Sequence, residues 1–317
     1  MPLEFGRSGF IRTGEESTYG TASASKTVFS RINSASLQST QERERKTFLS
    51  QSAAAFSAGH FDVFTVVGGS IELPLFYGGS GIYLKAACGS LTDTSTGGSP
   101  AEKHQYIPSA TLPSLTIDLI RGTGSLEEFK GCMISQMTIS GAAGEEIMMS
   151  LDVVAQSASA REAKISSSFG TGQQMFHYEN DSNRLAWNAG NFNVKNFEFS
   201  LDNKLDRRNV LGSKLTLEPA ISDVREVRLT VTLEMMGNDL YNAMLAGTAS
   251  DLSMKFDRTD ASFEIILRNA YIVDYSDNVS SFGPLERTLT FVGEADSTDE
   301  AFELIIHNAE ASGISNN

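Results

Sequence analysis

The sequence is poor in the residues that most catalytic and metal sites require. It has two cysteines, four histidines and one tryptophan among 317 residues. Cys88 and Cys132 lie far apart without a CxxC motif, which excludes zinc-ribbon spacing and a disulfide framework. The histidines form neither HxH nor HExxH, so nothing supports a catalytic metal. We therefore expect no enzyme activity, no metal and no cofactor.

Long apolar runs and an excess of basic residues are also missing. No stretch of about 18 apolar residues exists, so we expect no membrane span. The first twenty residues carry charges and lack the apolar core of a secretory signal, which predicts synthesis in the cytoplasm. Against 25 Lys and Arg stand 39 Asp and Glu, a net charge of −14. Such a chain is not expected to bind DNA by neutralising phosphates.

What the sequence does contain is an internal repeat. Residues 69–91 and 225–248 share a strand of alternating apolar residues, followed by a short helical pattern, when shifted by 158. Residues that fit the ends of the two helices occupy matching positions, and the apolar helix residues are expected to pack in the core. The candidate capping residues are Ser80, Gly89, Asn238, Asp239 and Gly247.

The matches continue on both sides of this segment with other offsets. Residues 36–46 match residues 200–210 at an offset of 164, and residues 115–119 match residues 252–256 at an offset of 137. Apolar residues between 134 and 153 match residues between 272 and 291 at an offset of 138. The drop from 158 to about 138 predicts a loop about 20 residues longer in the first copy. We assign this loop to residues 92–114, which are rich in Gly, Pro and Ser.

The pattern as a whole predicts a mainly β protein. We expect two tandem β-sandwich or half-barrel units, each with one short α-helix. The predicted boundaries are 1–35 for an N-terminal arm, 36–155 for the first unit, 156–190 for a connector, 191–295 for the second unit and 296–317 for a C-terminal extension. The extension is expected to be helical around residues 300–306.

One ordered set of segments resembles a known family. Residues 14–22, GEESTYGTA, are similar to the opening of the major tail tube proteins of siphophages. Similar features follow at IELPL (71–75), LKAACG (84–89), LPSLTI (112–117) and GCMISQMTIS (131–140). The resemblance implies a structural protein of the virion tail, in which sheets of neighbouring subunits join into one continuous β-barrel ring and the rings stack into a tube.

The resemblance also implies partners. Family members with two units in one chain form trimeric rings with pseudo-sixfold symmetry, so the main partner is a second copy of the chain. Tail terminator, tape measure and distal tail proteins are further implied partners, and DNA passes through the tube only as transient cargo during ejection.

Polar residues that alternate with apolar ones on the barrel strands are candidates to line the channel. These are Glu72, Thr116, Asp118, Asp152, Thr230, Thr232 and Glu234. Candidates for loops between stacked rings are Gln41, Arg43, Arg45, Asp202, Arg207 and Arg208. A net-negative lumen is expected, because basic side chains would bind the phosphates of moving DNA.

Two alternatives remain open at this point. An inner tube of a contractile system, or the ring of a secretion needle, would use the same assembly principle. A carbohydrate-binding or hydrolytic β-sandwich of a virion would instead need a cluster of exposed aromatic side chains. The single Trp187 and the eight scattered tyrosines give that alternative little support.

Overall fold

The computed structural model shows a chain built mostly of antiparallel strands, which confirms the mainly β class with two short helices. It describes residues 9–48, 56–97, 100–122, 124–163, 165–170, 174–177, 184–188, 190–234, 237–258, 260–277, 285–296 and 300–314, and the side chains of all of these except 45–48, 56–61 and 184.

The elements divide into two halves along the chain. The first half contains β1 (Phe10–Glu15), β2 (Val28–Ser30), β3 (Ser34–Ala35), β4 (Gln38–Phe48), β5 (Phe56–Pro74), α1 (Gly81–Cys88), β6 (Gly89–Ser95), β7 (Glu102–Pro108), β8 (Leu115–Arg121), β9 (Ser125–Ala142), β10 (Met148–Ala155), β11 (Ser157–Ala158) and β12 (Glu162–Ala163). The second half contains β13 (Arg184–Trp187), β14 (Gly190–Asp202), β15 (Leu205–Arg208), β16 (Leu217–Ile221), β17 (Glu226–Glu234), α2 (Asp239–Leu245), β18 (Ser250–Asp257), β19 (Ser262–Asp277), β20 (Glu286–Val292) and β21 (Phe302–Asn308).

Eight strands form one main sheet that runs through both halves. Their order is β4, β5, β10 and β9 from the first half, then β14, β17, β20 and β19 from the second. Each half thus adds four antiparallel strands in the same order, and β9 pairs with β14 where the halves meet. One face of this sheet carries the apolar residues of the alternating pattern and is buried in the core.

A second layer covers that apolar face. In the first half it consists of β2, β1, β8, the start of β9, and β11 with β12. In the second half it consists of the start of β14, β13, β18, the start of β19 and β21. The long strands β9 and β19 pass from one layer into the other near Gly131 and Asn269, which have φ of 63° and 46° and lie 138 positions apart. In both halves, therefore, a residue with the left-handed backbone conformation lies at the same point of the long strand.

The predicted long loop is wrong for most of its length. Residues 89–108 form the hairpin β6–β7, and β7 pairs with β21 at the edge of the second half's outer layer. His104 is fully buried there, and its Nδ1 and Nε2 lie 2.7 and 2.8 Å from oxygens of Asp93 and Asn308. The extra residues of the first half thus form a strand pair, β6–β7, that extends the outer layer of the second half through the pairing of β7 with β21.

The C-terminal extension is a strand, not the predicted helix. β21 lies between β19 and β7, so backbone groups on both of its edges are paired. Its one acidic side chain, Glu303, accepts hydrogen bonds from Arg268 (2.6 Å) and Gln105 (2.7 Å). The predicted connector likewise contains β11, β12 and β13, although part of it lies outside the described residues. The domain boundaries themselves stay a prediction.

The two helices lie where the sequence predicts them but differ in burial. Ser80 precedes α1 and Gly89, with φ of 110°, ends it, while Asn238 precedes α2 and Gly247 follows it with φ of 63°. Seven of the eight residues of α1 are buried, as expected of core packing. In α2 only Leu240 is buried, so the expectation of core packing is wrong for its apolar face in the single chain.

The hydrogen-bonded registers define how the two halves correspond. The β9–β10 and β19–β20 pairs agree at an offset of 138 throughout, including a bulge that skips Ser135 in one and Val273 in the other. The β5–β10 and β17–β20 pairs then make Ile71 the counterpart of Val231, which is an offset of 160 instead of the expected 158. The β4–β5 and β14–β17 registers give 162 in place of 164. A slip of two residues keeps every side chain on its face, so an alternating pattern cannot reveal it.

We expect Gly89→Ala to destabilise the chain by roughly 2–3 kcal/mol, because its positive φ is strained for alanine and the new Cβ would lie 2.6 Å from the Thr111 carbonyl oxygen. Gly247→Ala is the matched control, since it shares a positive φ but has no atom within 4 Å of a Cβ, and about 1 kcal/mol is expected. Urea unfolding of both variants measures the difference; equal losses would show that the contact with Thr111 adds nothing to the strain.

Candidate functional site

The solvent face of the main sheet is polar from one edge to the other. Along β10, for instance, Ser150 and Asp152 are exposed while Leu151 and Val153 are buried. Five of the seven predicted channel residues lie on this face, and all of their neighbours across the sheet are polar or acidic. The five are Glu72, Asp152, Thr230, Thr232 and Glu234. That this face lines a channel stays a prediction.

Carboxylates dominate the charge of this face. The acidic side chains on it are Glu72, Asp152, Glu198, Asp202, Glu226, Glu234, Asp274 and Glu286. The basic side chains that reach it are Lys195, Lys204 and Arg228. Each of these cations is bound to carboxylates of the same face, so no basic side chain of the described face is left to hold a passing anion.

The lysines on this face are firmly charged. Lys195 Nζ lies 2.7 Å from Glu286 and 3.3 Å from Glu234, and these hydrogen bonds raise the pKa of Lys195 above its usual value. Lys204 is held in the same way by Asp202 (2.6 Å) and Glu226 (3.1 Å), which raise its pKa too. The carboxylates therefore keep both lysines engaged and leave the remaining face acidic.

Thr116 and Asp118 contradict the sequence prediction. Both are fully buried on β8 in the outer layer, away from the polar face. Asp118 accepts hydrogen bonds from Arg12 (2.5 Å) and Lys26 (2.8 Å), and the Thr116 hydroxyl donates to Glu16 (2.8 Å). The strand has no solvent face, because the N-terminal segment that carries these partners covers it.

The predicted inter-ring residues lie around two neighbouring hairpins. Gln41, Arg43 and Arg45 are on β4, Asp202 ends β14, and the other two are on β15, so all six are strand residues and the loop prediction is wrong for them. Arg207 and Arg208 are on β15, which pairs with β16 in a separate two-stranded sheet. The side chain of Arg45 lies outside the described residues. Contact with another ring stays a prediction.

The two hairpins are joined to each other. Asp62 on β5 binds both Arg43 (3.0 Å) and Lys214 (2.9 Å), and these cations lower the pKa of the Asp62 carboxyl. Arg207 donates a hydrogen bond to the Val67 carbonyl. Residues 41–48 of β4 and 56–65 of β5 extend past the pairing with β10, and together with β15–β16 they form one projection beyond the rest of the main sheet.

Sequence reasoning missed the apolar residues of this projection. Residues 210–224 carry several exposed large apolar side chains, and Leu211 is fully exposed. They are Val210, Leu211, Leu215, Leu217 and Val224. The signal was present as apolar residues in a Gly- and Ser-containing loop, which a soluble monomer has no reason to expose together.

Chemical sites do not emerge from the described residues. Within them no group of three His, Cys, Asp or Glu side chains could hold a metal ion. None of the described helices has the length and apolarity to cross a membrane. Trp187 is buried against Phe291, with ring centroids 5.2 Å apart, so it offers no surface on which a sugar could stack.

Comparison with known proteins decides the family. A family model described as phage tail tube protein matches residues 6–301. The chain belongs to the phage tail tube protein family. It is therefore a structural component of a phage virion tail.

Other comparisons add little to this. Among solved structures the chain is similar to Hcp1 from Flavobacterium johnsoniae, with 22% sequence identity and a TM-score of 0.26, over 34% of this chain and 86% of that one. A likeness this slight bears neither on assembly nor on a contractile system. No curated protein matches the sequence.

Proposed function

We propose that three copies of the chain close a ring with pseudo-sixfold symmetry, and that rings stack into a siphophage tail tube that conducts genomic DNA during ejection. The observation that carries this proposal is the main sheet, in which one four-strand order occurs twice and two edge strands, β4 and β19, stand at its ends. Edge strands are templates for pairing with another chain, and closure into a ring removes them.

Strand geometry supports three copies. Three main sheets make a barrel of about 24 strands, which at about 4.8 Å spacing and about 40° tilt has a backbone diameter of roughly 45–50 Å. Inward side chains leave a passage of roughly 35–40 Å, wide enough for B-DNA of about 20 Å. Six copies would double the diameter and leave a tube far wider than its cargo.

The polar face suits a DNA passage. A lumen lined by the carboxylates and hydroxyls of this face repels phosphates, and its few cations are already bound to carboxylates. DNA is then cargo that slides without being held. The tail terminator, tape measure and distal tail proteins would meet the tube at its ends or inside it.

Stacking is assigned to the projection of β4–β5 and β15–β16. Its exposed apolar side chains, including Leu211 and Val224, are partners for the next ring, where burial of each would contribute roughly 1–2 kcal/mol. Charged residues at its base, such as Arg43 and Arg208, would surround that contact.

We expect the assembled protein to contain three chains in each ring. Mass measurement of isolated rings or short tubes, combined with negative-stain microscopy, tests this directly. Three chain masses per ring with a central passage support the proposal, and six per ring would contradict it. A protein that stays monomeric at high concentration would contradict self-assembly altogether.

A further inference from the structure

The joint between the two halves shows how one four-strand unit recognises the next. Residues 136–142 of β9 pair with residues 196–202 of β14 in antiparallel register. Just beyond the strand end, the backbone N–H of Asn203 donates to the Ser135 carbonyl oxygen (2.8 Å). The Asn203 side-chain amide, fully buried, donates to the carbonyl oxygens of Ala87 and Ile134, both at 2.9 Å. Asn203 thus fastens the second half to the C-terminal end of α1 and to the bulge of β9.

At the far edge of the second half, β19 and α2 take the places of β9 and α1. Among the described residues, no strand pairs with this edge as β14 pairs with β9. The bulge residue of β19, Val273, corresponds to Ser135, and Leu245 at the end of α2 corresponds to Ala87. Ala87 is fully buried, whereas Leu245 is 65% and Val273 44% exposed. Tyr241, the counterpart of the fully buried Tyr83, is 42% exposed. The counterparts of two fully buried residues of α1 are therefore open to solvent at the far edge.

Beneath this edge lies a buried cation with unpaired donors. Arg287 is 1% exposed and takes the position of Met149 in the first half. Its Nη2 donates to the Gly237 carbonyl (2.8 Å), but Nε and Nη1 find no acceptor among the described residues. Its guanidinium lies 5.5 Å from the ring of Tyr275 on the edge strand. Buried unpaired donors of this kind are costly, so an acceptor supplied by a second copy would be stabilising here.

The offset between the halves identifies the occupant. Subtracting 162 from residues 196–203, the β14 residues of the internal joint and Asn203, gives residues 34–41 at the outer edge of β3 and β4. In this segment Ser36 already bonds inward to Ser70, so alternate residues such as Ser39 direct their backbone groups outward. Ser39 and Gln41 are exposed, and Gln41 occupies the position that corresponds to Asn203.

We propose that residues 37–41 of a second copy pair with residues 273–277 in the same geometry as the internal joint, which places Thr40 opposite Asp274. This inference rests on the proposed ring. The Gln41 amide of the second copy then donates to the carbonyls of Leu245 and Ile272, as Asn203 does to Ala87 and Ile134. Ser39 of the second copy lies opposite Tyr275, where its hydroxyl can accept a hydrogen bond from Arg287.

A disulfide tests the register of this joint. In the internal joint, Asp202 and Gln136 form a pair between hydrogen-bonded pairs, where cross-strand side chains approach most closely. Thr40 and Asp274 are the corresponding residues, and both are exposed. The double variant Thr40→Cys with Asp274→Cys should therefore cross-link neighbouring copies under mild oxidation. The native Cys88 and Cys132 are buried and burial raises the pKa of each thiol, so neither competes.

The matched control moves one cysteine by two residues on the same face. Gln38→Cys with Asp274→Cys should cross-link at least roughly tenfold less, because the two side chains would be diagonal and about 7–8 Å apart. Covalent trimers on a non-reducing gel from the first variant, and few from the second, support the proposal.

Three outcomes overturn it. More cross-linking in the control than in the first variant would show a different register. Rings seen by microscopy in the absence of either cross-link would show that other surfaces join the copies, which leaves the proposed ring intact but removes this joint. Failure of the unmodified chain to form any ring would remove the proposed function as well.

Discussion

Ser39→Pro is expected to abolish ring formation while leaving the single chain folded. Proline removes the backbone N–H and holds φ near −65°, which an edge strand tolerates because the lost donor is not used within the sheet. Here the N–H of Ser39 is directed away from β5, as the inward bond of Ser36 indicates. An unsatisfied carbonyl at the joint costs roughly 2 kcal/mol, about a thirtyfold loss in association for each of the three joints.

The control for this experiment is Ser39→Ala, which keeps the N–H and removes only the hydroxyl. It should assemble more weakly than the unmodified chain but far better than Ser39→Pro. Circular dichroism and urea unfolding verify that the proline variant is folded, and sedimentation velocity measures assembly. Normal rings from a folded Ser39→Pro protein would exclude this edge as the joint between copies.

Much of the main sheet could be predicted from the sequence. Alternating residues around Ile71 and Leu229 gave the strands, and the matching glycines Gly89 and Gly247 gave the ends of both helices. These features are local, because side-chain alternation and helix termination depend on neighbouring residues alone. The offset of 138 between the β9–β10 and β19–β20 hairpins was predictable for the same reason.

What the sequence could not predict depends on contacts between distant residues. Residues 302–306 have a composition that suits a helix, yet they form β21 because β19 and β7 offer unpaired backbone groups on either side. Residues 102–108 resemble loop by composition but become β7 for the same reason. Local propensity is a weak determinant where a sheet edge is available to extend.

Two of the candidate channel residues, Thr116 and Asp118, were wrong in an informative way. The segments ELP around Glu72 and TIDL around Asp118 show the same alternation, and both strands have one face towards the core. The other face of β5 is open to solvent at Glu72, whereas the N-terminal segment closes over β8. An alternating pattern identifies the buried face but cannot say whether a further layer covers the other one.

Asp118→Ala is expected to lower the free energy of unfolding by about 3 kcal/mol. The carboxylate is fully buried and neutralises two cations, Arg12 and Lys26, whose side chains are only 23% and 13% exposed. Its removal leaves both without their main acceptor in a poorly solvated place, and breaking such a pair on one side is more costly than removing it whole. Lys26 keeps Glu128 (2.5 Å), which limits the loss.

Asp152→Ala is the matched control for this prediction, since the sequence assigned Asp152 the same role. Asp152 is exposed on the polar face of the main sheet, so its replacement should change stability by no more than about 0.5 kcal/mol. The two variants should be affected in different experiments. Urea unfolding of the single chain should show a loss of stability for Asp118→Ala, whereas Asp152→Ala should show an effect only when DNA passage through assembled tubes is measured. If Asp118→Ala unfolds like the unmodified chain, the cluster with Arg12 and Lys26 does not hold the N-terminal segment against β8, and the burial of that strand must have another cause.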